Sequence, residues 1–230
     1  MIKGPGKITF LICGLLLMLA AFPLFGQEKD STEIVINKRP LQDFGKMAGD
    51  AVSGKKTDLS APFLLEMHCV LNADGKLDAS KTKVVRFEGD RQMVDLAKNG
   101  VLAIGDSGYF QYLRNFDGKE IDLLVIQDDS TFKTNIGFEV ESAVRARSIA
   151  TLLSIAIKYY KDQKSTPEAD ENDKDDLPIF KGLTVETAEK KVIIKQAMPK
   201  ADFRDVVQKR LLKAKSDPMP NGMAKNIVIL

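Results

Sequence analysis

Phe63, Leu65, Met67, Cys69 and Leu71 recur at every second position against Leu64, Glu66, His68 and Val70, and Asn72-Ala73-Asp74-Gly75 comes at once after them. The alternation is the period of a strand with one buried face, and Asp and Gly accept the backbone angles of a tight reversal. A strand that turns back at residue 75 constrains the chain beyond it, because the next apolar positions must belong to its partner. Residues 83–88 fill that role, with Val85 and Phe87 expected on one face. Gly89 and Asp90 stop the second strand, and Asp90 is placed to accept hydrogen bonds from the free amides of a helix. On that helix Met93, Ala97, Val101 and Ile104 recur at helical spacing, with Gly105 as its expected end.

The same order returns twice. After a short helix expected within residues 107–118, a strand over 121–127 reverses at Asp128-Asp129-Ser130 into a strand over 131–140, where Phe132, Ile136 and Phe138 share a face. A long helix over 141–160 comes next, with Ala143, Ala146, Ala150, Leu153 and Ile157 as its seam. Residues 183–187 and 191–197 read as a third hairpin, and 201–215 as a third helix carrying Phe203, Val207 and Leu211. Units of about 35 to 45 residues in the order strand, strand, helix read as structural repetition. Each unit hides one apolar face and needs a second layer. The expected class is therefore α+β, with repeated ββα units and antiparallel sheet carrying helices on one face.

The expected division runs from an N-terminal targeting segment (1–26) and a linker (27–61) with a short helix over 41–51. It continues through a ββα module (62–118), a second unit (119–160), an acidic linker (161–178) and a C-terminal unit with its tail (179–230). Residues 1–26 place Lys3 and Lys7 before an apolar run over 8–25, the layout of a secretory signal. That run also has the length of a membrane span, so it reads as a cleaved signal peptide or a retained anchor. Either implies export, to the periplasm or to an inner-membrane anchor facing it. Cys13 lies inside the run, leaving Cys69 as the one cysteine of the remainder and no intramolecular disulfide. Without Lys3 and Lys7 the chain has 32 basic against 32 acidic residues, which removes the electrostatic basis for nucleic-acid binding.

Several motifs invite chemistry. Aligned on Gly75 as a calcium loop, the first ligand position falls on Val70 and the closing glutamate position on Lys81, so a plain turn is the reading. Gly105-Asp106-Ser107-Gly108 imitates a serine-protease tetrapeptide, yet its flanks are helical and the sole histidine is His68. His68 reads as a half-exposed structural residue, and Cys69 as an inert core thiol. Residues 49–55 approach a phosphate-binding loop but carry Lys56 where a hydroxyl is needed. The basic positions Lys191, Lys195, Lys200, Arg204, Lys209, Arg210 and Lys213 read as a solvated face. No catalytic, cofactor-binding or metal-binding residue and no cofactor is assigned, and an enzyme is not expected.

The strand, the "NADGKLD" turn, the strand ending "VVRFEGD" and the helix "RQMVDLAKNGVLAI" resemble the C-terminal domain of the TonB and TolA energy transducers over about residues 60–105. Those proteins also begin with one membrane segment. The resemblance implies a non-enzymatic periplasmic module that acts by protein contact. Its partner would be another envelope protein paired to an exposed sheet edge, with membrane contact through an uncleaved N-terminus. The alternative is a periplasmic carrier or sensor of an apolar small molecule or lipid, with a pocket expected near Phe110, Phe132, Ile136 and Leu153.

Overall fold

The structure is a computed structural model that describes residues 36–216 apart from 55, 115, 117 and 167–176, with the backbone alone at 114 and 210–216. The expected signal or anchor at 1–26 and the tail beyond 216 lie outside the described residues. Among the described residues no helix is long and apolar enough to cross a membrane.

Helix α1 (Arg39–Ser53) precedes the first unit, β1 (Phe63–Val70), β2 (Lys83–Gly89) and α2 (Arg91–Asp106). A single turn α3 (Gln111–Arg114) leads to β3 (Glu120–Gln127), β4 (Thr131–Glu139) and α4 (Ala143–Lys164). A short α5 (177–181) then enters β5 (Leu183–Ala188), β6 (Lys191–Pro199) and α6 (Lys200–Ser216). The three hairpins do not form separate sheets. They join edge to edge as one six-stranded sheet in the order β2-β1-β3-β4-β6-β5, antiparallel throughout. The α+β class with antiparallel strands is thus realised as a single open sheet.

Register makes one face of that sheet the core. Cys69, Ile121, Phe138 and Val192 lie in one cross-strand row, and Leu65, Val125, Thr134 and Gln196 in another. All eight are buried, while their sequence neighbours on the opposite face are part-exposed or exposed, Gly137 excepted. α2 packs on β1 and β2, α4 on β5 and β6, and α6 on β4 and β6. α1 lies across α2 and α6 and buries Leu41 and Ala48, so part of the expected 27–61 linker belongs to the folded body.

Local chemistry sets the helix starts. Asp90 accepts from the Met93 amide at 2.8 Å, and Ser142 accepts from the Arg145 amide at 3.1 Å, each satisfying a donor the helix leaves free. Met93, Ala97, Val101 and Ile104 are all buried, as their spacing requires.

Three local expectations change. A register shift between Glu66 and Met67 puts Val84 opposite Met67 and Phe87 opposite Leu65, which leaves Val85 as the extra residue. Val85 and Phe87 therefore do not form one inward face; on this edge strand they are 55% and 47% exposed. α2 runs one residue past Gly105, and the positive φ of 84° that turns the chain belongs to Gly108. α4 continues to Lys164, because Lys161 and Lys164 complement the partial negative charge of its C-terminal turn.

Candidate functional site

Helix α2 lies over β1 and β2 and α6 over β4 and β6, and between them is a cavity of about 60 Å³. Its floor is the buried sheet face, from Phe63 and Val125 across to Phe132 and Met198. Met93, Leu96 and Ala97 of α2 form one wall, and Phe203 and Val206 of α6 the other. Phe44 of α1, Leu59 of the loop after it and Ile179 of α5 complete it. Phe132 and Phe203 stack with ring centroids 3.6 Å apart and fix the sheet against α6. The volume is several times the roughly 10–15 Å³ that one water needs.

Among the described residues Thr134 and Gln196 are the only polar side chains that line this space, and none that lines it is charged. They are direct cross-strand neighbours on the covered face, and Gln196 is 4% exposed. Its Nε2 has no hydrogen-bond acceptor among the described residues. A buried amide donor without a partner costs on the order of 1–3 kcal/mol. At such a position Met or Leu would pack as well without that cost.

Gln127 shows what the same side chain does when it serves structure. It is 1% exposed in the adjacent row of the same face, flanked by Phe63 and Phe132. Its Nε2 donates to the Leu59 and Ala61 carbonyls at 2.9 and 2.8 Å, tying the cavity-side loop to the sheet. Lys200 Nζ reaches the Ser60 carbonyl of that loop at 3.0 Å.

The pocket expected near Phe110, Phe132, Ile136 and Leu153 lies elsewhere. Only Phe132 lines the cavity; Phe110, Ile136 and Leu153 are 0%, 2% and 1% exposed and serve as packing. Helical and strand periodicity identify buried residues without telling a filled contact from an unfilled one. The usable signal was Gln196 itself, a polar residue at an inward position of the alternation Val192, Ile194, Gln196, Met198.

The motifs weighed for chemistry are dispersed. At the opening turn, Asn72 Oδ1 accepts from the Asp74 and Lys76 amides at 2.9 and 3.0 Å, Gly75 takes a φ of 72°, and Asp74 is exposed. Ser107 caps the end of α2 and is fully buried on the helix side, whereas His68 occupies the open face, so the sheet separates them. His68 Nδ1 lies 2.9 Å from Asp122 Oδ1, and Lys191 Nζ pairs with the other oxygen of Asp122. Burial pushes the Asp122 carboxyl up, but the hydrogen bonds from Lys191 and His68 outweigh it and hold the group below the ordinary carboxylate value. Burial, with Asp122 adding to it, pushes the Cys69 thiol up to about 12, which suits a core thiol. Residues 49–53 are helical, with Gly54 as the C-cap. Among the described residues no group of three or more His, Cys, Asp or Glu side chains is arranged to hold a metal ion.

Compared with known protein families, curated proteins and solved structures, the chain matches none.

Proposed function

We propose that this chain is a non-enzymatic binding protein that holds the apolar end of a small molecule or lipid between its helices and its sheet, in an exported, periplasmic setting. The observation that carries this reading is an apolar cavity into whose lining an unpaired, buried amide donor is built. Ligand pockets are mostly apolar with a few placed polar groups that fix orientation. The test is methionine-methyl NMR of the purified protein titrated with n-hexane. The Met93 and Met198 methyl signals should move, whereas Met67, buried but away from the cavity, should stay. Ala97→Leu should fill the space and abolish the response. Uniform shifts, or none up to the solubility of hexane, would defeat the reading.

A second reading, contact with an envelope protein by strand pairing, is favoured by the free edge of β2. Val85 and Phe87 are exposed there beside backbone groups that no described strand pairs, with the Arg91 guanidinium 4.5 Å from the Phe87 ring centre. Replacing Val85 and Phe87 with lysine should then abolish capture of a partner from envelope extract and leave hexane binding intact. Unchanged capture would exclude the edge.

A further inference from the structure

We propose that the ligand of the helix–sheet cavity is uncharged and carries a carbonyl oxygen, as in a ketone or an ester, which accepts a hydrogen bond from Gln196 Nε2. This inference rests on the binding reading above and specifies its chemistry. A hydrocarbon alone would offer no acceptor to the Gln196 donor, which finds none among the described residues. A water in its place would find Thr134 and Gln196 alone among the described lining side chains, the minimum of the two to four polar partners a buried water takes. A carboxylate would meet the donor but bring a charge into a space that no charged residue among those described lines. A neutral carbonyl satisfies the donor and asks for no counter-charge.

Gln196 lies on the floor of the cavity, on a strand between β4 and β5. It is fixed there by register, opposite Thr134 on one side and Leu183 on the other. The carbonyl therefore sits against the sheet, and the alkyl remainder extends between Met93 and Ala97 of α2 and Val206 of α6.

The experiment compares 2-hexanone, its hydrocarbon isostere 2-methylhexane, and hexanoate at pH 8, each titrated into the whole protein and into Gln196→Met. Binding is read from the Met93 and Met198 methyl signals. In the wild-type protein the Gln196 side-chain amide proton signals should move with 2-hexanone and stay with 2-methylhexane, a readout that needs no variant. Gln196→Met should weaken 2-hexanone roughly fivefold and leave 2-methylhexane within about twofold, the size expected for one hydrogen bond. Hexanoate should bind at least about tenfold more weakly than 2-hexanone. Equal effects of the substitution on ketone and hydrocarbon, or a still Gln196 amide signal on ketone binding, would overturn the carbonyl assignment while the binding reading stands. Hexanoate binding as tightly as the ketone would overturn the neutrality. Failure of both ketone and hydrocarbon to bind the wild-type protein would remove the binding reading itself.

Discussion

The two faces of the sheet treat polar groups in opposite ways. On the open face, where water would satisfy any group, side chains pair with one another: His68 with Asp122, Lys191 with Asp122, and Lys195 with Glu186. On the covered face, where an unpaired group is costly, Gln196 Nε2 and Gln127 Oε1 find no partner among the described residues, and neither does Ser107 Oγ, buried at the end of α2. A chain selected only for stability would show the reverse, since surface ion pairs contribute little and buried orphans cost much. Gln196 is the one of the three that lines the cavity, which is why the functional reading belongs there. Local rules broken in an otherwise consistent fold mark function or strain.

The largest expected contrast separates two neighbours on β6. Ile194 is 3% exposed on the covered face, and Ile193 beside it points to the open face. Ile194→Ala should cost about 2–5 kcal/mol, because a void opens in packed core, and Ile193→Ala about 0.5 kcal/mol. Urea unfolding of the two variants measures the difference. Comparable losses would mean that the open face is covered by something, and the contrast between faces would fail.

Those two residues also show how much of the molecule was legible in the chain. Alternation along β1, β3, β4 and β6 separates inward from outward positions, and the helical seams of α2, α4 and α6 identify what covers them. This holds because burial imposes the period directly. The joining of three hairpins into one sheet was not legible, since strand order depends on contacts between units that no local pattern records. The bulge that exposes Val85 was missed for a related reason: one inserted residue shifts phase without changing composition. The cavity escaped because a void is a property of how neighbours fail to meet, although Gln196 marked its floor in the sequence.

The second contrast lies within the covered face and uses one substitution twice. Gln127→Met removes the donor to the Leu59 and Ala61 carbonyls and leaves both short of a partner. It should lower stability by about 1–3 kcal/mol. Gln196→Met instead removes a donor that has no partner. Its side chain is of similar shape, so stability should rise by up to about 2 kcal/mol while ketone binding falls. Thermal unfolding of the unliganded variants gives both signs. A loss at Gln196 equal to that at Gln127 would show that Gln196 is as structurally engaged as its counterpart.

The smallest effect belongs to the open face. Asp122 is held below its ordinary value in the folded chain, so the folded state binds its proton less readily than the unfolded state. Its contribution to stability is therefore present above the unfolded carboxylate value of about 3.9 and is lost as pH falls through the lower folded value. Because Asp122 is about half exposed, solvent screening limits the contribution at neutral pH to about 0.2–1 kcal/mol. Asp122→Asn should lose that amount near pH 7 and nothing below the folded value, so the two stability curves converge in acid. Gly137 supplies an independent handle, for a Cβ there would lie 2.6 Å from Lys191 Cε, in the path by which that lysine crosses β4 to reach Asp122. Gly137→Ala should displace the ammonium and let the Asp122 carboxyl rise toward its ordinary value, read by carbon NMR of the side chain. An unmoved titration would show that Lys191 contributes nothing there, and the pairing on the open face would then be geometry without energetic consequence.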